Sequence, residues 1–240
     1  MKAMILAAGR GQRLCPLTDT CPKPMIPIAG KPLLEYVVRL LARHGFDQLA
    51  INLSHLPHII RDHFGDGRAF GVKITYSFEE QLLGTAGAVR RLAAFFDEPF
   101  LVYYGDNLSN ADLTDLWRAH HRRNALASMG LLWMDDPTNR GIVRVDTKGH
   151  IVGFIEKPQA HEVFDEYLVN GGTYVLDPAI IDHIPPRAPS DFSHDVFPAL
   201  LAKGQTLYGH KLKGQLLSTD TPQRYADTQK QIAAGAFRLP

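Results

Sequence analysis

The sequence has 240 residues, of which 45% are hydrophobic and 21% charged, a composition that can bury a substantial core and excludes a disordered chain. Its 26 Lys and Arg residues nearly balance 25 Asp and Glu residues, so a charge of +1 gives no basis for binding nucleic acid or an anionic membrane. No apolar stretch approaches the ~20 residues of a membrane span, and no secretory signal is recognisable, which predicts a cytoplasmic protein.

The first half of the chain alternates between short apolar runs and amphipathic segments. The predicted strands are Lys2–Leu6, Gln48–Asn52, Lys73–Phe78, Phe100–Tyr104 and Ala125–Met134, and the predicted helices are Pro32–His44, Pro57–Phe64, Thr85–Phe96 and Asp112–Arg123. Strands that alternate with helices of this length are typical of βαβ units. We therefore predict an α/β fold with a Rossmann-like, largely parallel sheet flanked by helices.

The second half changes character. Ile142–Asp146 and Ile151–Ile155 predict a hairpin with glycine in the connecting loop. The remaining predicted elements are the strands Leu168–Leu176 and Thr206–Leu212 and the helices Phe197–Ala202 and Pro222–Ala234. These elements predict a mixed α+β half inserted in or appended to the first, within one domain over residues 1–240 that divides near residues 124 and 125.

A glycine-rich loop follows the first predicted strand and has the sequence Leu6-Ala7-Ala8-Gly9-Arg10-Gly11-Gln12-Arg13-Leu14. Small residues let backbone N–H groups approach an anion closely, and Arg10, Arg13 and Lys23 add three cations. This combination favours a triphosphate. Leu14 replaces the third glycine of the dinucleotide-binding fingerprint, and Pro32 replaces the Ser or Thr that a P-loop requires after Gly-Lys.

The chain resembles the sugar-1-phosphate nucleotidyltransferases, and among them the mannose- and heptose-1-phosphate guanylyltransferase branch. The resemblance consists of five segments in the family's order: residues 6–32, which include Pro22-Lys23-Pro24, then Leu83-Gly84-Thr85-Ala86-Gly87-Ala88, Gly105-Asp106-Asn107, Glu156-Lys157-Pro158 and Asn170-Gly171-Gly172. It implies an enzyme in which a sugar 1-phosphate attacks the α-phosphorus of an NTP in line and releases pyrophosphate. Residues about 1–124 would then bind the nucleotide and residues about 125–240 the sugar.

The resemblance also implies roles for single residues. Arg13 would clamp the triphosphate, and Lys23 would contact the α-phosphate or bridge both substrates. The implied nucleotide-binding residues are Leu6, Ala7, Ala8, Gly9, Gly11, Glu79, Gly84 and Thr85, and the implied sugar-phosphate residues are Gly141, Glu156, Lys157, Asn170 and Gly172. The chain is expected to lack the C-terminal left-handed β-helix of longer family members.

Two carboxylates are candidates for binding Mg²⁺. Asp106 follows a buried strand, which is where ligands gather in an α/β sheet. The family's second metal ligand lies in an Asp-x-Gly-Thr-Pro segment, whereas this chain has Ser218-Thr219-Asp220-Thr221-Pro222. We favour Asp220 as the second ligand; Ser218 in that role, or Asp220 as a helix cap, is the alternative.

The resemblance also suggests which base is bound, because the family residue five positions before Gly84 often contacts the base, and here that residue is Glu79. A carboxylate only accepts hydrogen bonds, and guanine offers adjacent N1–H and N2–H₂ donors, so GTP is favoured over dTTP and UTP. A nucleotide-sugar-binding regulatory protein without turnover is the rival from another class, and a cytidylyltransferase acting on a non-sugar alcohol phosphate is a more distant one. The sequence leaves open whether the chain forms a homo-oligomer.

Overall fold

A computed structural model describes residues 1–134, 141–155, 168–186 and 189–240. The strands are β1 (Lys2–Leu6), β2 (Pro27–Ile28), β3 (Lys31–Pro32), β4 (Gln48–Leu53), β5 (Lys73–Phe78), β6 (Phe100–Tyr104), β7 (Asn107–Ser109), β8 (Ala127–Trp133), β9 (Ile142–Val145), β10 (Ile151–Ile155), β11 (Leu168–Leu176), β12 (Tyr208–Lys211) and β13 (Leu216–Ser218). The helices are α1 (Leu33–Arg43), α2 (Pro57–Phe64), α3 (Gly84–Arg91), α4 (Leu113–Arg123), α5 (Phe197–Ala202) and α6 (Pro222–Ala233).

Contacts divide the chain into two compact units. The first unit comprises Met1–Leu82, Tyr103–Ala111 and Gly214–Pro240, and the second comprises Leu83–Val102 and Asp112–Lys213. Each unit is therefore built from separate stretches of the sequence. The single domain over residues 1–240 with a division near residue 124 stays a prediction.

The first unit is built on parallel strands. β1 pairs with β4 and β4 with β5, both in parallel, and α1 and α2 make the connections between them. Beyond the end of β6, the Gly105 N–H donates to the Leu6 carbonyl at 2.9 Å, so the carboxyl ends of these strands lie together. Loops at such an edge are the usual position of ligands in α/β sheets.

A hydrophobic cluster supports the loops of this unit. α1 has a strongly one-sided apolar face, and it ends before Gly45, whose φ of +83° is a left-handed conformation that favours glycine. The buried members of the cluster are Leu14, Ile26, Ile28, Leu33, Tyr36, Leu108 and Phe237. Leu14 directly follows Arg13, and Ile26 lies three residues after Lys23. Burial of the cluster therefore fixes the backbone beside both basic residues to the unit.

The second unit is mixed. β11 is antiparallel to β8 and β9, β9 is antiparallel to β10, and β12 runs parallel to β8. A register shift in β11 between Asn170 and Tyr174 interrupts its ladder with β8. Aromatic packing of Tyr174, Phe192 and Phe197 closes the core beneath it, with ring centroids 5.0–5.8 Å apart.

The predicted fold class is confirmed: the fold is mixed α/β, with parallel strands in the first unit and antiparallel pairing in the second. One predicted helix, Thr85–Phe96, is shorter in the structure, because α3 ends at Arg91 and a separate 3₁₀ turn covers Ala93–Phe95. Among the described residues, no helix has the length and apolar character needed to cross a membrane.

Candidate functional site

The loop after β1 packs directly against the segment that carries Lys23. Gly11 has φ +66°, and a Cβ added to it would lie 2.8 Å from the Lys23 Cβ, so both conformation and space disfavour a side chain here. Gly9 has nothing within 4 Å of such a Cβ. Leu6 is the last residue of β1, Ala7 and Ala8 begin the loop, and both alanines are buried. The loop therefore presents open backbone at Gly9 and close packing at Gly11.

Asn52 fixes the start of this loop. It is buried at the end of β4, where its Oδ1 accepts from the Ala7 N–H at 2.8 Å. Its Nδ2 donates to Glu79 Oε1 at 2.9 Å, and Glu79 is only 1% exposed. Glu79 is thus joined to the backbone of the loop through Asn52. The sequence analysis did not select Asn52. The signal that could have identified it was a polar residue near the carboxyl end of an otherwise apolar strand.

Lys23 and Asp106 form an ion pair between the Lys23 ammonium and the Asp106 Oδ2. Lys23 lies in a short 3₁₀ turn and is 8% exposed, whereas the Asp106 side chain is one-third exposed after β6. The Thr219 hydroxyl donates to the Asp106 carbonyl at 3.4 Å. Two predicted site residues far apart in sequence are brought together at the edge of the parallel strands.

Arg13 meets Asp220 in the same unit. Arg13 Nη1 lies 2.9 Å from Asp220 Oδ2, while Asp220 Oδ1 accepts from the Ser218 hydroxyl at 2.6 Å and from Arg224 Nη1 at 3.0 Å. Burial opposes ionisation of Asp220, but the Ser218 hydrogen bond and the two guanidinium groups outweigh it and lower the pKa of the carboxyl to about 2. Asp220 is therefore a fixed negative charge between two cations.

Sequence reasoning did not anticipate the roles of Arg224 and Thr221 in this arrangement. Arg224 follows Asp220 by four residues, a spacing that brings side chains together at a helix start and was readable in the sequence. The Thr221 side chain caps α6 by accepting from the Arg224 N–H at 3.3 Å. The cap is thus Thr221 and not Asp220.

Two observations test whether these residues fit Mg²⁺. Among the described residues, no three His, Cys, Asp or Glu side chains converge as a metal-binding group. Mg²⁺ is usually held by one or two carboxylates together with substrate phosphates, and Asp106 fits that requirement because it is partly exposed and pairs with a single described side chain. Asp220 does not fit it, because both of its oxygens already accept from charged or hydroxyl donors.

Gly84 and Thr85 lie in the second unit and contact the segment 190–192. Gly84 has φ +75°, and an added Cβ would lie 2.4 Å from the Ser190 carbonyl oxygen. The Thr85 hydroxyl donates to Asp191 Oδ1 at 2.8 Å and accepts from the Phe192 N–H at 2.9 Å. Both residues hold the first turn of α3 against this segment.

Gly141, Asn170 and Gly172 lie together in the second unit. The Asn170 N–H donates to the Gly141 carbonyl at 2.7 Å, and the Gly172 N–H donates to Asn170 Oδ1 at 2.9 Å. The amide nitrogen of Asn170 donates to the hydroxyls of Tyr174 and Ser193. Asn170 therefore organises the irregular part of β11. Glu156 and Lys157, the other two predicted sugar-phosphate residues, lie outside the described residues.

Comparison with known proteins identifies the family. The profile of a family described as nucleotidyl transferase matches residues 2–234, and the chain belongs to that family. The chain is 40% identical over 222 residues to the UTP–glucose-1-phosphate uridylyltransferase of Synechocystis sp., covering 87% of this chain and 57% of the relative. It is 34% identical over 240 residues to the mannose-1-phosphate guanylyltransferase of Mycobacterium tuberculosis, covering 99% of this chain and 66% of the relative. The chain thus spans less than two thirds of the length of these relatives.

The fold resembles that of solved structures. A putative glucose-1-phosphate thymidylyltransferase from Bacillus anthracis, solved in complex with a sucrose, superposes with a TM-score of 0.86 at 22% identity. The superposition covers 96% of this chain and 94% of the other. At this identity the likeness concerns the fold.

Proposed function

We propose that the chain is a sugar-1-phosphate nucleotidyltransferase, which transfers a nucleotidyl group from an NTP to a sugar 1-phosphate and releases pyrophosphate. The proposal depends on one observation above all: Lys23 forms an ion pair with Asp106 and packs against Gly11 of the glycine-rich loop. Both residues belong to segments by which the chain resembles this class of enzyme. The names of the uridylyltransferase and guanylyltransferase relatives support the same reaction.

The chemistry requires positioning and charge neutralisation more than a protein nucleophile. A phosphate oxygen of the sugar substrate is already anionic, so it attacks the α-phosphorus without a general base, and the obstacle is repulsion between two polyanions. In this proposal Arg13 binds the triphosphate with its planar guanidinium, and Lys23 offsets charge at the α-phosphate. The backbone of the loop 6–11 faces the phosphates.

The proposed reaction also includes a divalent cation at the nucleotide phosphates. We assign Asp106 as the protein ligand for Mg²⁺, since its carboxylate is partly exposed beside Lys23. When bound, the ion supplies further neutralisation of phosphate charge. Before the nucleotide arrives, the Lys23 ammonium holds the Asp106 carboxylate in place.

The sugar phosphate is assigned to the second unit. Gly141, Asn170 and Gly172 would shape that pocket, and the satisfied hydrogen bonds of Asn170 support a framework role, in which it holds the backbone around the sugar. Lys157 is proposed to neutralise the sugar phosphate and Glu156 to accept from sugar hydroxyls. Gly84 and Thr85 would hold the start of α3 for the nucleotide.

We propose GTP as the nucleotide, on the acceptor chemistry of Glu79 and the 34% identical guanylyltransferase. Glu79 is only 1% exposed, so a base does not reach its carboxylate in this conformation, and direct contact would require the surrounding side chains to move. UTP is the second candidate, which the 40% identical uridylyltransferase favours.

The test is a matrix of GTP, UTP, dTTP, CTP and ATP against hexose and heptose 1-phosphates, with pyrophosphate release as the readout and Mg²⁺ present. Steady release with at least one pair supports the enzyme, and the preferred NTP decides the base. Tight nucleotide-sugar binding without release from any pair favours the regulatory protein. If Glu79→Gln leaves the NTP preference unchanged, Glu79 does not select guanine.

A further inference from the structure

Asp220 occupies a position where the sequence departs from the pattern that this family resemblance implies. With Thr221-Pro222 in register, the expected aspartate position carries Ser218, and the expected glycine position carries Asp220. In the structure the Ser218 hydroxyl donates to Asp220 at 2.6 Å, so the two substituted positions contact each other.

The surroundings of Asp220 are those of an anchor for guanidinium groups. Oδ2 lies 2.9 Å from Arg13 Nη1 and Oδ1 lies 3.0 Å from Arg224 Nη1, and the Asp220 side chain is only 16% exposed. One carboxylate between two arginines leaves a local charge of +1, which disfavours the approach of a divalent cation. A carboxylate with both oxygens engaged also offers poor coordination to Mg²⁺, which demands near-ideal geometry.

Arg13 is the member of this group that needs an anchor. It lies in the 3₁₀ turn Gln12–Leu14, and its side chain is 66% exposed. A long exposed side chain must lose much rotamer freedom when it binds a ligand, and prior orientation reduces that cost. Asp220 is itself held by Ser218 and by the first turn of α6, so it is a rigid reference for Arg13.

We propose that Asp220 is a positioning residue that orients Arg13 toward the nucleotide phosphates, supported by Ser218 and Arg224, and that it does not bind the metal. The inference rests on the proposed function for the identity of the ligand. It assigns metal binding on the protein side to Asp106.

The first experiment measures the contact itself. NMR of arginine side-chain Nε–H groups, with the Arg13 signal assigned from its loss in Arg13→Ala, reports the mobility of this side chain without any nucleotide. We expect an ordered Arg13 in the wild type and a mobile one in Asp220→Asn. Asp227→Asn, the same change at an exposed site in α6, is the control and leaves Arg13 ordered. An Arg13 signal unchanged by Asp220→Asn overturns the proposal.

The second experiment measures binding of GTP and UTP by calorimetry in EDTA. Asp220→Asn is expected to weaken the tighter nucleotide about tenfold. In the Arg13→Ala background the same change should have no further effect, because its target is gone. Additive losses, or a gain in affinity in Asp220→Asn, overturn the positioning role. If the wild type binds neither nucleotide, the NTP preferred in the pyrophosphate assay takes their place; if that assay finds no active pair, the proposed function fails, whereas the NMR result still decides the contact.

The third experiment counts protein-bound Mn²⁺ by electron paramagnetic resonance in the presence of the bound nucleotide. Asp220→Asn is expected to keep the wild-type Mn²⁺ affinity within about twofold, whereas Asp106→Asn weakens it about tenfold or more. A loss of Mn²⁺ affinity in Asp220→Asn comparable to that in Asp106→Asn would assign Asp220 to the metal and overturn the inference.

Discussion

The Asn52 amide group donates to Glu79 Oε1 at 2.9 Å while its carbonyl oxygen accepts from the backbone of the first loop. Asn52 and Glu79 come from the ends of neighbouring parallel strands, β4 and β5. The geometry of the loop therefore depends on two side chains that do not belong to it. This relationship also gives Glu79 a structural role beside any contact with a base.

Replacing Asn52 with leucine should destabilise the protein by roughly 2–3 kcal/mol. The variant removes a donor from the buried Glu79 carboxylate and an acceptor from the Ala7 N–H, and both groups remain shielded from water. Urea unfolding measures the loss. Gln48→Leu, at the exposed start of the same strand, is the control and should change the free energy of unfolding by less than about 0.5 kcal/mol. Equal stability of Asn52→Leu and wild type would contradict the account.

Gly9 and Gly11 should respond differently to alanine. At Gly11 the positive φ and the approach of the Lys23 Cβ act together, so Gly11→Ala should lower the free energy of unfolding by roughly 2–3 kcal/mol. Gly9→Ala should change it by less than about 0.5 kcal/mol, because no atom lies within 4 Å of the new Cβ.

Nucleotide affinity then separates a structural from a binding role for Gly9. If phosphates approach this backbone as proposed, the methyl group of Gly9→Ala lowers nucleotide affinity about tenfold or more while the fold stays intact. Calorimetry with the preferred NTP measures the change. Wild-type affinity in Gly9→Ala would place the phosphates elsewhere.

Lys23→Met tests charge neutralisation. The methionine keeps much of the apolar packing of the lysine stem but removes the ammonium beside Asp106. We expect kcat/KM to fall by roughly 10²–10³, the loss typical of a group that stabilises charge in a transition state. Lys31→Met removes a half-exposed lysine that lies 3.6 Å from Glu35, and it should keep kcat/KM within about twofold. Equal activity of the two variants would rule out a catalytic role for Lys23.

The sequence predicted the long elements well, because α1 and the parallel strands have strong apolar periodicity or continuous apolar runs. It missed β7 and β13, which are three residues each and pair with each other although about 110 residues separate them in the sequence. Such short strands carry no local periodicity, and tertiary pairing forms them. Their pairing brings the segment of Asp220 to the segment of Asp106, so the proximity of these two segments could not be predicted from the sequence either.

The candidate site was predictable in composition but not in contacts. The types and order of Arg13, Lys23 and Asp106 indicated phosphate chemistry from the sequence alone. The Arg13–Asp220 ion pair was not predictable, because it depends on which side chains tertiary packing brings together. Asn170 illustrates the converse: it was predicted as one of the residues that shape the sugar-phosphate pocket, and its hydrogen bonds within the fold appear only in three dimensions.

His120 should make stability depend on pH. Its side chain lies in α4, is 2% exposed and has Nδ1 3.1 Å from the Ser128 hydroxyl. Burial, aided by the charge of His121, lowers the pKa of His120 from 6.5 to about 4. Between these values the unfolded chain binds the proton and the folded protein does not. The contribution of His120 to the free energy of unfolding is therefore complete above pH 6.5. It falls by about 3 kcal/mol as the pH decreases toward 4.

Comparison with His120→Asn isolates this contribution from the carboxylates that titrate in the same range. The difference in free energy of unfolding between wild type and His120→Asn should shrink steadily from pH 7 to pH 4, as measured by urea unfolding at each pH. His58→Asn, the same change at an exposed position in α2, is the control and should follow the wild-type profile. If the two proteins differ in free energy of unfolding by the same amount at every pH, the His120 ring titrates normally in the folded protein.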